Sequence, residues 1–369
     1  MPATQPTATI AAPAPEAIAR AAALLRAGFP VAMPTETVYG LAAPVFNETA
    51  LLAVFHAKER PLFDPLIVHV APPESLGTGP HPMLSYLESL RLVDIATLTA
   101  EQRTQIEELT AAFWPGPLTL VLPKHSAVPD LATAGLPHVG VRMPAHPVAQ
   151  MLIAAAGAPL AAPSANRFGR ISPTTAAHVA EELGDRIELI LDGGPCAVGV
   201  ESTVVAVTPD GGFILLRPGG ISKERIEDVL RQGLMQNREA PLLSPGQLPS
   251  HYAPVKALQL LPVALSSLLM SEPHAVKRLI TGHIPGFLVF AALTTEDEWT
   301  LSQLCGALPP VVVLSPLGNM DEAARHLFAR LRELDASAAT ALFAEPCPLT
   351  TGLGLAIADR LHRAAAALA

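Results

Sequence analysis

Apolar positions recur every three to four residues over 16–25, and Gly28 stops the run, which predicts an amphipathic helix. The apolar run 29–33 follows and reads as a short strand that delivers the polar loop 34–41. The helical period returns over 48–58, 101–113, 147–156 (with Pro147 at its start), 174–183 and 222–230. Strands are expected over 66–70, 118–122, 139–142, 160–162 and 187–191. Runs 204–207 and 213–216 flank Pro209, Asp210, Gly211 and Gly212, a strong hairpin signal. Helices and strands mix without strict alternation, so 16–231 is expected to form a twisted mixed-sheet α/β domain, with 1–15 a disordered tail.

Over 232–255 the periodicity disappears and Pro, Ser, Gly, Gln and Asn dominate. This stretch reads as a linker, although Ser244-Pro245-Gly246 and His251-Tyr252-Ala253-Pro254 carry more chemistry than a spacer needs. Beyond it, strands over 257–261, 287–292, 311–314 and 341–344 accompany helices over 321–334 and 353–366. That order predicts a smaller, Rossmann-like parallel α/β domain over 256–369.

Composition narrows the function classes. Half of the 369 residues are hydrophobic and 15% are charged, which excludes a disordered solvating protein. The longest apolar candidate for a membrane span, 257–270, is interrupted by Gln259, Pro262 and two serines and is too short. The first 15 residues have no basic segment followed by an apolar one, so no signal peptide is expected. The net charge of −9 does not favour extensive nucleic-acid binding. Cys196, Cys305 and Cys347 are far apart and odd in number, which fits a reducing cytoplasm and neither a disulfide framework nor a zinc site.

Three polar fragments interrupt the apolar scaffold: Pro34-Thr35-Glu36-Thr37-Val38-Tyr39-Gly40-Leu41, Ala57-Lys58-Glu59-Arg60-Pro61 and Ala162-Pro163-Ser164-Ala165-Asn166. Lys58 and Arg60 at a helix exit are favoured by the helix dipole in any case. Together with hydroxyl and amide groups from the other two fragments, they suit a nucleotide phosphate, Arg as a fork and Lys as a point charge. Arg142, set among Val139, Val141 and Met143, needs a partner for its charge, and a bound carboxylate would serve. Arg217-Pro218-Gly219-Gly220 reads equally as an anion-binding corner or a surface turn, and Glu201-Ser202-Thr203 as a strand cap. His69 ends an apolar strand, where a histidine is more often a core residue than a ligand. The phosphate loop G-x-x-x-x-G-K-S/T, H-E-x-x-H and G-x-S-x-G are all missing. Catalysis is therefore expected from positioning and electrostatics, without a covalent enzyme intermediate.

These fragments, in this order, resemble the threonylcarbamoyl-AMP synthase family in its long two-domain form, with an N-terminal YrdC-like domain. The K-x-R and S-x-N pair of the family reads here as Lys58, Arg60, Ser164 and Asn166. The resemblance is dense from 28 to 221 and continues through the linker to 352–363. It implies a nucleotidyltransferase that converts L-threonine, bicarbonate and ATP to L-threonylcarbamoyl-AMP and pyrophosphate with Mg2+. The product would serve threonylcarbamoyladenosine formation on tRNAs reading ANN codons, through hand-off to a tRNA threonylcarbamoyl transferase complex.

Carried over by motif, Lys58 and Arg60 are catalytic, and Thr37, His69, Arg142, Ala162 and Ser202 bind threonine. Contacts to ATP would come from Lys58, Arg60, Asp64, His138, Ser164, Asn166, Ser172, Arg217, Ser250, His251 and Tyr252. No residue is implied as a direct metal ligand, Mg2+ being held through the ATP phosphates. Asp64 stands where the family usually has Asn, and would either help hold the metal or weaken ATP binding. His138 replaces a small polar residue, Asp359 a typical Asn, and the linker lacks the family's basic residues. Two alternatives are a carbamoyl-adenylate enzyme with a different acceptor and a double-stranded RNA-binding module.

Overall fold

The computed structural model describes residues 8–77, 79–236 and 251–366. The chain divides into two compact units. In the first, eleven strands form one sheet: β1 (Thr9–Ala11), β2 (Val31–Met33), β3 (Gly40–Pro44), β4 (Ile67–His69), β5 (Leu118–Pro123), β6 (His138–Arg142), β7 (Leu160–Ala161), β8 (Leu189–Leu191), β9 (Thr203–Val207), β10 (Phe213–Arg217) and β11 (Met235–Gln236). Their order is β1-β8-β2-β3-β7-β4-β6-β5-β9-β10-β11. Parallel and antiparallel pairs both occur: β4 runs parallel to β6, and β5 runs antiparallel to β6 and parallel to β9.

Two helices predicted from periodicity, Glu48–Lys58 and Pro147–Ala156, form at the expected residues. Asn47 caps the first by accepting from Ala50 N at 3.0 Å, and Gly157 ends the second in the left-handed region at φ +71°. The tail expected over 1–15 is ordered from Ala8 onward: Thr9–Ala11 adds to the sheet beside β8, and the helix Pro15–Arg26 follows. Residues 40–44, mostly assigned to no element by the sequence pattern, form β3. Its strand is buried on both faces, which removes the polar–apolar alternation that marks a half-exposed strand. The helix Pro82–Ser89 was also not anticipated.

Helices Pro15–Arg26 and Pro147–Ala156 bury Leu25, Leu152 and Ile153 against Val31, Met33 and Leu189. Elsewhere Ile106, Leu109 and Phe113 of the helix Ala100–Phe113 join Leu118, Leu120, Val139, Val141 and Val205 in the larger core. Side chains alternate across a sheet, so Ile67, Val121, Val204 and Ala206 face the other way, in a small apolar cluster with Leu216.

β10 departs from that alternation. Leu215 pairs with Val205, but Arg217 pairs with Val204, with the register shift between them. This bulge places two residues of β10 against one of β9 and turns Arg217 onto the face that carries Val204.

The second unit comprises Gly169–Ile171, Val198–Val200 and the chain from 251 onward. Its strands β12 (Leu258–Leu260), β13 (Pro285–Val289), β14 (Val311–Val313) and β15 (Ala341–Ala344) are all parallel, in the order β12-β15-β13-β14. The long helix Met320–Ala336 buries Ala324, Leu327, Phe328 and Leu331. Helices Leu265–Ser271, Pro273–Ile280 and Thr295–Cys305 fill stretches where the sequence pattern marked no element. No helix among the described residues is long and apolar enough to cross a membrane.

Candidate active site

Backbone pairing joins the three polar fragments. Gly40 bridges Ser164, Leu41 N donates to Pro163 O at 2.8 Å and Ala165 N donates to Tyr39 O at 2.8 Å. The first loop is further fixed by Tyr39, whose hydroxyl donates to Gly194 O at 2.8 Å. Burial is the main cause that raises the Tyr39 phenol pKa. The second fragment joins through Lys58, the last residue of its helix, which donates from Nζ to Ser164 O and Asn166 O. Glu59 then turns the chain in the left-handed region, φ +54°.

Lys58 is 1% exposed. Burial first, and then the neighbouring Arg60 charge, push its ammonium pKa well down, while the Asp64 and Glu182 carboxylates oppose that shift. Arg60 Nη2 donates to Pro65 O at 2.9 Å and lies 2.8 Å from Asp64 Oδ2. Burial raises the Asp64 pKa against the opposing pull of Arg60, Lys58 and Arg217. Asp64 is therefore an internal counterion to a cluster of three cations.

Arg217 completes that cluster from the bulge in β10. Its Nη2 donates to Ser202 O at 3.0 Å and to Ser202 Oγ at 3.1 Å. Ser202 Oγ also lies 2.7 Å from Thr119 Oγ1. The turn after Arg217 is possible because Gly219 lies against the 201–203 backbone: a Cβ there would sit 2.3 Å from Glu201 O. Glu201 itself accepts from Ser172 Oγ at 2.7 Å.

Arg142 marks a second centre. It closes β6 opposite His69, the last residue of β4. Arg142 Nε donates to Gly116 O at 3.2 Å and Nη1 to Thr37 Oγ1 at 2.9 Å. Thr35 Oγ1 spends its proton on Val38 O at 2.6 Å, so Thr37 must donate to Thr35 across their 2.8 Å contact. Arg142 Nη2 lies 2.7 Å from Glu36 Oε1. The counterion that the sequence left to a bound carboxylate is thus already supplied by the chain. His69 is buried, and burial together with Arg142 pushes its imidazole down to about 3, so it is neutral. Ala162 N donates to Ile67 O at 2.9 Å beside it.

Alternation relates the two centres. Val121 pairs with Gly140 and Val204 with Thr119, so Thr119, Val204, Gly140, Arg142 and the bulged Arg217 share one sheet face. Both centres are rich in donors and cations, which suits an anionic amino-acid end and a polyphosphate.

The remaining candidates sit differently. His138 begins the strand that Arg142 ends, about 13 Å away at roughly 3.3 Å per residue. It lines a cavity of about 340 Å3 with Asp94, Gln102, Lys124 and Thr208, and burial lowers its pKa. His251 and Tyr252 belong to the second unit. There the Tyr252 ring lies 5.4 Å from Phe328 and 5.3 Å from the Arg360 guanidinium, with His251 edge-on at 4.2 Å. Ser250 lies outside the described residues. Glu36, Thr119 and Glu201 take part in the site without having been marked by residue type alone. Their signal was proximity in sequence to Thr37 and Ser202 for Glu36 and Glu201, and nothing for Thr119. Among the described residues no group of three or more His, Cys, Asp or Glu side chains could hold a metal.

The chain resembles known proteins along most of its length. Residues 23–219 match the family described as Telomere recombination (Sua5_yciO_yrdC), and residues 221–366 match the family described as Threonylcarbamoyl-AMP synthase, C-terminal domain. The threonylcarbamoyl-AMP synthase of Bacillus subtilis is 41% identical over 356 residues, which cover 94% of this chain and 92% of that one. The enzyme of the same name from Pyrococcus abyssi is 38% identical, covering 93% and 92%. A crystal structure of P. abyssi Sua5 complexed with L-threonine superposes with a TM-score of 0.79 at 36% identity, over 94% of each chain. On these grounds the chain is a member of the threonylcarbamoyl-AMP synthase family.

Proposed function

We propose that this protein condenses L-threonine, bicarbonate and ATP to L-threonylcarbamoyl-AMP, with release of pyrophosphate. The observation that carries the reading is the common sheet face of Arg142 and Arg217. One buried guanidinium suits an amino-acid carboxylate, and the other stands with Lys58 and Arg60 in a cluster suited to phosphates. A relative of similar fold has been crystallised with L-threonine, which supports threonine as the amino acid of this reading.

In this scheme Arg142 receives the threonine carboxylate, with Thr37, His69, Ser202 and the Ala162 backbone shaping the pocket. The amine is carboxylated, and a carbamate oxygen attacks the α-phosphorus in line as pyrophosphate leaves. Lys58, Arg60 and Arg217 face the charge that develops on the phosphates, with Asn166, Ser164 and Ser172 placed around the nucleotide. Asp64 is engaged by Arg60, so Mg2+ is read as arriving on the triphosphate, where it would neutralise phosphate charge. The product is read as passing to a tRNA threonylcarbamoyl transferase complex in the cytoplasm.

Incubation of the full chain with ATP, Mg2+, labelled bicarbonate and single amino acids tests the reading. Threonine-dependent labelled product in step with pyrophosphate is expected. Turnover with another amino acid in place of threonine would reassign the acceptor. Salt-sensitive binding of double-stranded RNA without turnover would replace the enzyme reading altogether.

A further inference from the structure

Glu36 has no part in the scheme above, yet it is a buried carboxylate at its centre. Its side chain is 10% exposed, between two buried threonines. Taking a carboxylate out of water is costly unless it is paired and hydrogen-bonded. Glu36 is only half provided for: Oε1 lies 2.7 Å from Arg142 Nη2, but neither of its oxygens receives a well-aligned hydrogen bond, and neither does that nitrogen donate one. Arg142 Nε and Nη1 donate instead to Gly116 O and Thr37 Oγ1. The two charges touch without locking together.

An α-amino acid has the complementary pattern. Its carboxylate and ammonium are neighbours of opposite charge on one carbon. If the carboxylate takes Arg142, the ammonium falls within reach of the carboxylate beside that arginine. The titratable groups around Glu36 and its partner Arg142 offer no better proton acceptor. Arg142 on β6 is a permanent cation. Cys196, in the segment after β8, keeps its proton because burial and the Glu36 charge raise its pKa. His69 on β4, across from Arg142, is held neutral and weakly basic by burial.

We infer that Glu36 binds the ammonium group of the amino-acid substrate and accepts the proton that must leave before the nitrogen can be carboxylated. The role rests on the function proposed above. An N–H bond breaks as a Glu36 O–H bond forms, leaving a neutral amine and a neutral carboxylic acid. The acid returns its proton to bicarbonate, whose C–OH bond breaks to give water and carbon dioxide. The amine forms the C–N bond to carbon dioxide and gives its second proton to Glu36, which passes it to solvent. The sum converts ammonium and bicarbonate to carbamate, water and one proton.

The test uses the full chain with Glu36→Gln and Glu36→Asp, following threonine-dependent pyrophosphate release from about pH 6.5 to about pH 9.5. Glu36→Gln is expected to lose on the order of a hundredfold in kcat/KM near neutral pH. The loss should narrow as pH rises and solution supplies the free amine, and Glu36→Asp should recover part of the neutral activity. Calorimetry then compares threonine with 2,3-dihydroxybutyrate, which carries a hydroxyl in place of the amine. Wild type should prefer threonine by about tenfold or more, the worth of a charged hydrogen bond, and Glu36→Gln should not. A Glu36→Gln enzyme with the wild-type pH profile and the wild-type preference overturns the role, whatever its rate. Should that variant not fold, Glu36→Asp carries the same two measurements, with a steeper pH profile and a weaker preference expected and unchanged values overturning the role. Wild type that turns over threonine while the variants match it defeats this role alone. Wild type without threonine-dependent turnover defeats the function on which the role rests.

Discussion

Arg60 and Asp64 form a buried ion pair, with Nη2 and Oδ2 2.8 Å apart and both side chains at most 4% exposed. The pair restrains a cluster whose other members, Lys58 and Arg217, are also cations. Neutralising Asp64 should therefore strengthen the hold on polyanions and weaken the empty protein. Asp64→Asn is expected to bind ATP more tightly in calorimetry at fixed salt. Breaking a buried pair costs about 3–5 kcal/mol, so its melting temperature should fall and be restored by added ATP. Weaker ATP binding in Asp64→Asn would instead make Asp64 a contributor to the metal–nucleotide site.

Lys58 carries a different balance, because its charge is opposed by burial and its Nζ supports two carbonyls. Lys58→Met keeps the volume and removes both functions. Stranding those carbonyls should cost about 1–3 kcal/mol. Loss of the cation facing the phosphates should lower kcat for pyrophosphate release on the order of a hundredfold. A thermal melt and a rate measurement separate the two effects.

His69 gives a stability signature with a definite sign. Burial holds the folded pKa at about 3, below the ordinary histidine value of 6.5, so the unfolded chain binds the extra proton first as pH falls. Stability is complete above the unfolded value and declines through the interval from 6.5 to about 3. At about pH 5 the loss is about 2 kcal/mol, from 1.36 kcal/mol per unit. Denaturant titrations from about pH 7 to about pH 5 should show that slope, and His69→Gln should flatten it.

Tyr252 tests the second unit by itself. The residue is 1% exposed, contacts Phe328 and Arg360, and holds φ +65°. Tyr252→Ala should destabilise the chain by about 3–5 kcal/mol through the lost ring. Tyr252→Gly should be no worse, because glycine removes about 1 kcal/mol of left-handed strain that alanine keeps. Urea midpoints of the two variants give the order, and a clearly weaker Gly variant would contradict it.

Much of this was legible from residue pattern. The helices Glu48–Lys58 and Pro147–Ala156 follow from period and capping, and the parallel second sheet from its strand and helix runs. Lys58, Arg60 and Arg142 stood out because cations beside apolar runs need partners. What the local pattern missed had tertiary causes. β3 is buried on both faces and shows no alternation, while Thr9–Ala11 is a strand only because β8 lies beside it.

By itself the sequence determined many of the helical and extended segments and which polar fragments must be explained, since period, capping and composition act over a few residues. Tertiary structure decided who meets whom. Glu36, not a ligand alone, balances Arg142, and the Lys58 ammonium rests on the carbonyls of Ser164 and Asn166, more than a hundred residues away. A single bulge puts Arg217 on the face of Arg142. Strand order and register set these pairings, and a shift of one residue sends a side chain to the opposite face, a choice that local pattern does not contain.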